Sequence, residues 1–178
     1  MPRFEWWISG RPAKTLAIAL VLSLAPSLFV ARAGASALTA GERAYARHEY
    51  ARAAPLLLAE AERGSRDAQT YVGYMYQHGL GLPQNYVAAA GWLNEAAQQG
   101  QPTAQFLLGL LFDKGFGVPQ DWVQAEFWLI LAAAQANGHE RDYWTRIRDG
   151  VAQKLTLDQL ADAQRRAYAW AAPYSARF

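Results

Sequence analysis

The feature that most constrains this chain is that it repeats itself. Moved forward by 36 positions, residues 68–97 fall on residues 104–133 with thirteen identities in thirty ungapped positions. The shared residues are Ala68/Ala104, Gln69/Gln105, Gly73/Gly109, Gly79/Gly115, Gly81/Gly117, Pro83/Pro119, Gln84/Gln120, Val87/Val123, Ala89/Ala125, Trp92/Trp128, Leu93/Leu129, Ala96/Ala132 and Ala97/Ala133. A fixed period of this size is one supersecondary unit stacked on copies of itself, each burying an apolar face that it could not bury alone. A surface, rather than a pocket, is then the place to look for function. A third, diverged copy precedes these two, because Tyr50, Ala53, Leu57, Ala61 and Gly64 align at the same offset with Tyr86, Ala89, Leu93, Ala97 and Gly100. Its first half is shorter: Tyr45 and Tyr50 are five positions apart where Tyr76 and Tyr86 are ten apart, so this unit lacks the paired glycines. Three units meet the minimum usually needed for a stable array.

Within the second unit, Ala68, Val72, Met75 and Tyr76 recur at helical spacing and predict a first helix over 66–78, with Ser65 as its N-cap. His78-Gly79-Leu80-Gly81-Leu82-Pro83-Gln84 breaks that helix, since glycine adopts positive φ at a helix end and proline cannot continue the ladder. A second helix follows from Asn85, and from Asp121 in the next unit. Its buried stripe is expected to be Ala89, Trp92, Leu93, Ala96 and Ala97, with Trp92 and Trp128 as core residues of the repeat. Gly73 and Gly109 lie inside first helices, where glycine costs about 1 kcal/mol relative to alanine. Their recurrence points to a second helix that approaches too closely for a side chain.

Together the residues A-Q-x-x-x-G-x-x-[YF]-x-x-G-x-G-x-P-Q-[ND]-[YW]-V-x-A-x-x-W-L-x-x-A-A resemble the Sel-one-like repeat (SLR) family, a relative of the tetratricopeptide repeats. The resemblance is strong over residues 64–138 and weaker over 37–63, where the unit looks closer to a plain tetratricopeptide hairpin. It implies an all-α fold: an α/α superhelical solenoid of about three helical hairpins (37–63, 64–99 and 100–138). After Gly138 the repeat stops while the helical pattern continues. Trp144, Ile147, Val151 and Leu155 share one face, Thr156-Leu157-Asp158-Gln159 forms a capping box, and Leu160, Ala163, Ala167 and Trp170 line the next stripe. Residues 139–172 are therefore expected to form a C-terminal helical cap, with 173–178 as a tail.

The N-terminus carries a separate message. Arg3, Arg11 and Lys14 flank an uncharged stretch from Thr15 to Val30, followed by small residues through Ala37, which reads as a signal peptide over 1–33 with cleavage as late as 37. The apolar run is short of the roughly 20 residues that a membrane-spanning helix requires. Export to the periplasm is expected, with an inner-membrane anchor or secretion as the alternatives and no membrane span in the mature form. Without residues 1–33 the chain has 13 basic and 14 acidic residues, so it has no electrostatic footprint for nucleic acid. It has no cysteine, which excludes disulfides, thiol chemistry and thiolate metal sites.

Catalytic constellations are not legible. His48, His78 and His139 lack partners at metal-ligand spacing, and no H-E-x-x-H, G-x-S-x-G, S-x-x-K or phosphate-binding glycine loop occurs. Gly79, Gly81, Gly115 and Gly117 read as turn residues. No cofactor or metal is expected. What varies between aligned units along one helix face is Tyr71, Tyr74 and His78 against Leu107, Leu110 and Lys114. In tetratricopeptide-like solenoids the first helices line the concave groove, so the resemblance makes these six residues a candidate partner-binding stripe. Packing between adjacent units is the competing reading. The sequence thus describes an exported, non-enzymatic repeat protein that binds a protein partner as an adaptor, assembly scaffold or regulator, itself a monomer or weak homo-oligomer. The alternatives are an envelope enzyme acting on peptidoglycan or β-lactams, whose SLR relatives depend on cysteine pairs missing here, and a component of a polysaccharide-export assembly.

Overall fold

The computed structural model describes residues 39–175, and these are helical almost throughout. The expected signal peptide lies outside the described residues. Eight helices follow one another: α1 (Ala40–Ala46), α2 (Tyr50–Glu62), α3 (Arg66–His78), α4 (Tyr86–Gln98), α5 (Pro102–Lys114), α6 (Trp122–Gln135), α7 (Gly138–Ala152) and α8 (Leu157–Ser175). Helices α1/α2, α3/α4 and α5/α6 form three stacked hairpins, giving the expected all-α solenoid. Most helices start where a side chain accepts from the free amides of the first turn, α2 and α7 being the exceptions. Asn85 Oδ1 accepts from Ala88 N at 3.0 Å, and Asp121 Oδ1 accepts from Val123 N and Gln124 N at 2.9 and 3.0 Å. Such caps contribute about 1 kcal/mol apiece. The Thr156–Gln159 capping box opens α8, as the sequence predicts.

The repeated residues hold each hairpin together and join it to the one before. A Cβ on Gly73 would sit 2.6 Å from Leu93 Cγ, and one on Gly109 2.8 Å from Leu129 Cγ, so the close approach of the two helices is real. Gly41 faces Leu57 in the same way. Gly41 stands sixteen positions before its leucine and the other two glycines twenty, so the first connection is shorter by four residues. Tyr45 therefore occupies the place of Gln77, not of Tyr76 as the tyrosine spacing suggests. His48, with φ of 61°, makes the tight link possible.

Gly79 and Gly115 end α3 and α5 in the left-handed conformation, at φ of 68° and 69°. The second glycine of each loop has another task. A Cβ on Gly81 would overlap the Tyr50 carbonyl, and one on Gly117 the Tyr86 carbonyl, so each loop lies directly on the start of the preceding unit's second helix. Gln84 and Gln120 brace the loops by donating to the Gln77 and Asp113 carbonyls at 2.8 and 2.7 Å. The other repeated glutamine bridges units. Gln69 Nε2 donates to the Ala61 carbonyl and Gln105 Nε2 to the Ala97 carbonyl, both at 3.2 Å. Their side-chain oxygens accept from Gln99 and Gln135 Nε2 at 2.7 and 3.0 Å. Both glutamines are buried, and these bonds satisfy polar groups that would otherwise be costly to bury.

The cap is closer to the repeat than the sequence suggests. Helix α7 begins at Gly138, 36 positions after α5 begins at Pro102, and Trp144 stands where Leu108 and Val72 stand in the preceding units. It is a first helix in register, packed on α6. Helix α8 then departs from the pattern by packing on α6 instead of completing a hairpin with α7, and so covers the open end of the core. It runs to Ser175, into the expected tail. Asp113, buried at the end of α5, ties the α7–α8 connection down by pairing with both Lys114 (2.6 Å) and Lys154. Burial by itself would raise the Asp113 pKa, but the two ammonium groups outweigh it and hold the carboxyl below its ordinary value.

Glu126 on α6 is 2% exposed and its Oε2 has no hydrogen-bond partner among the described residues. Burial pushes its pKa from 4.5 to about 7, with Arg148 opposing the shift and Asp149 adding to it. The folded state therefore holds this proton more tightly than the unfolded chain does. The sign follows: stability is greatest below pH 4.5 as far as this group is concerned, and is lost as pH rises through about 7. The loss amounts to about 3 kcal/mol at the alkaline end. We expect Glu126→Gln to flatten the pH dependence of stability between pH 5 and 8.5, as read by urea unfolding at a series of pH values. A wild-type slope unchanged in the variant would show that Glu126 ionises without cost.

Candidate functional site

The six residues of the varying stripe do not form an open groove. Tyr71, Tyr74 and Leu107 are buried, at 4, 2 and 3% exposure, within the continuous core. The Tyr71 ring lies 4.8 Å from that of Tyr45 on α1, and the Tyr74 ring lies 4.1 Å from that of His78. Burial raises the pKa of both tyrosines and lowers that of His78 to about 4, leaving the imidazole neutral. His78 and Leu110 are partly buried. Only Lys114 is exposed, and its ammonium is engaged by Asp113. The stripe varies because stacking of unlike units demands different fillers at each interface. Tyr71 meets Tyr45 of the preceding unit, whereas Phe106, facing the following helix α7, stacks on Trp144 at 4.9 Å with its plane inclined by only 10°.

An accessible hollow lies on another face, beside the second helices. Its volume is about 670 Å³, and it lies between the end of α2 and the middle of α4, lined by Ala61, Glu62, Gly64 and Gln69 on one side and by Ala88, Gly91, Trp92 and Glu95 on the other. The repeat consensus positions its floor: Gln69 is fixed by Ala61 and Gln99, and Gly64 ends α2 with a φ of 88°. Trp92, expected in the core, is only partly buried and contributes to the wall. Its counterpart Trp128 is buried, with Phe127 4.6 Å away and Trp170 at 6.4 Å. Glu62 and Glu95 are exposed, and neither carboxylate is ion-paired among the described residues. The signal for this site was present in the sequence, in the mismatched pairs Gly91/Phe127 and Glu95/Leu131 on the second helices.

Gly91 sits inside α4, and a Cβ there would meet nothing within 4 Å. Gly91→Ala should therefore stabilise the protein by about 0.5–1 kcal/mol, the helix-propensity difference, as measured by urea unfolding. A loss of stability would show that the hollow is not open at this point. Among the described residues no three His, Asp or Glu side chains gather as a metal site would need, and no helix is long and apolar enough to cross a membrane.

The Sel1 repeat model matches residues 66–101 and 102–137, in phase with α3 and α5. Among curated proteins, none matches the chain. Crystal structures that resemble it include two Sel1-type proteins. One is c5321, a protective antigen present in uropathogenic Escherichia coli strains that displays an SLR fold. It is 27% identical with a TM-score of 0.69, over 87% of this chain and 34% of that protein. The other is a Sel1 repeat protein from Oxalobacter formigenes, 37% identical with a TM-score of 0.51, over 53% of this chain and 39% of its own. This chain thus spans little more than a third of the length of either. The chain thus carries two tandem Sel1 repeats at its centre, within a helical array similar to the SLR fold.

Proposed function

We propose that this protein is an exported, non-enzymatic adaptor or assembly scaffold that binds a protein partner in the bacterial periplasm. The observation that carries the reading is the array itself: tandem Sel1 repeats, a module typical of protein–protein interaction, stacked so that consensus residues are consumed in holding the units together. What differs between units and is also exposed, as at Gly91 and Glu95, is then left for recognition. The charge pattern and small-residue end of residues 1–37 support export, and the near-neutral mature composition argues against a nucleic-acid partner.

Export has a direct readout. Intact-mass measurement on envelope fractions is expected to give an N-terminus at Gly34 or Leu38. A full-length chain extracted only by detergent would instead make this an anchored inner-membrane protein. The partner reading is tested by photo-crosslinking in intact cells, with the full chain expressed as bait. Recovery of one protein in stoichiometric amount is the expected result. Recovery of peptidoglycan fragments without a protein would replace the scaffold reading with the enzymatic one.

A further inference from the structure

The array supplies its own control for the hollow on the second-helix face, because the equivalent position one unit later is visible in the same molecule. There Phe127 replaces Gly91, Gln98 replaces Glu62 and Leu131 replaces Glu95, while the tryptophan is kept as Trp128. That later site is closed: Trp128 is buried, with Phe127 beside it and Trp170 of the capping helix α8, which packs on α6, at 6.4 Å. The earlier site differs in two respects that serve one purpose. It lacks the side chain that would fill it, and it carries two carboxylates where its counterpart has none. The nearest basic residues in sequence do not neutralise them. Arg63 Nε donates to the Ala59 carbonyl at 2.8 Å, and Arg66 Nη1 donates to the Gln99 carbonyl at 3.3 Å.

Resting on the reading of this protein as a partner-binding scaffold, we propose that the hollow receives an arginine side chain presented by the partner, its guanidinium held against the Trp92 indole with Glu62 and Glu95 as counter-charges. The chemistry of the walls selects this occupant. An apolar side chain would strip water from the two carboxylates without replacing their hydrogen bonds. A guanidinium satisfies both and stacks on the tryptophan face. Arginine suits the site better than lysine because its planar, weakly hydrated head can stack and donate in several directions at once. A hollow of about 670 Å³ also admits the backbone that delivers the side chain.

The probe is the peptide acetyl-Gly-Arg-Gly-amide, with its neutral citrulline counterpart as control, titrated into the full chain. The Trp92 indole N–H resonance, assigned with Trp92→Phe, is the readout. The arginine peptide should shift this resonance saturably, with about tenfold weaker binding by the citrulline peptide and by the Glu62→Gln/Glu95→Gln double variant. Gly91→Phe should abolish the shift. Because Gly91 is exposed and a Cβ there meets nothing within 4 Å, this variant should keep the wild-type melt, which a circular dichroism scan checks. Absence of a saturable shift, an equal response to citrulline, or a shift surviving Gly91→Phe would each overturn the assignment. The crosslinking bait separates this from failure of the scaffold reading. A stoichiometric partner retained by Gly91→Phe would overturn the hollow as its contact while leaving the scaffold intact. With no partner captured by wild type the scaffold reading fails, and the peptide titration still decides the chemistry of the hollow.

Discussion

Truncating Trp144 to alanine is expected to cost about 3–5 kcal/mol, the range for deleting a large buried aromatic. Trp144 is 1% exposed and lies flat against Phe106 of the third hairpin, so its loss removes both the buried area and the stacking that seats α7 on the array. The cost should not stop at the cap. Helices α7 and α8 both pack on α6, and in a linear array an exposed end destabilises the unit it leaves uncovered. Urea unfolding followed by circular dichroism measures the loss, and hydrogen exchange should show protection falling first in α6. Tyr168→Ala, on the same cap but 80% exposed, is the control and should change stability by less than about 0.5 kcal/mol. Equal effects of the two substitutions would mean that the cap does not close the core through Trp144.

Hairpins, caps and close-packed glycines were legible in the sequence because each is a local pattern with a local cause. Ser65, Asn85 and Asp121 cap the helices that they precede, and Gly73 and Gly109 mark the crossings that they permit. Three things were not legible, for a common reason. The register of α7 was hidden because Trp144 replaces an aliphatic core residue and Arg141 stands where the bridging glutamine would be, donating instead to the Ala136 carbonyl at 2.9 Å. The varying stripe looked like a surface because variation marks recognition and unlike packing equally. Burial, which separates the two, depends on the neighbouring unit: Tyr45 decides what Tyr71 can be. The hollow escaped notice because a glycine in a helix normally signals close approach, as at Gly109. At Gly91 it signals the opposite, a missing side chain over open space.

Gly117→Val is expected to be as damaging, and for a reason that separates the two glycines of each loop. Gly117 has φ of 72°, a conformation that costs a β-branched residue about 1–3 kcal/mol. Its Cβ would also overlap the Tyr86 carbonyl and the Val87 nitrogen, which belong to the start of α4 in the preceding unit. Backbone cannot rotate aside as a side chain can. The loop must lift off its neighbour or the hairpins must separate, bringing the total to about 2–6 kcal/mol. Asparagine isolates the second effect, because it tolerates the left-handed region. At Gly115, φ of 69°, the nearest atom to an added Cβ is Gln120 Cβ at 3.2 Å, a tight contact but not an overlap, so Gly115→Asn should cost less than the same change at Gly117. Gly117→Asn should still unfold early, since relieving the backbone strain does nothing for the overlap. Thermal and urea unfolding of the pair provide the measurement. Closely matched stabilities would show that both glycines serve only the turn; a large gap would establish the second as the point where one repeat is fastened to the next.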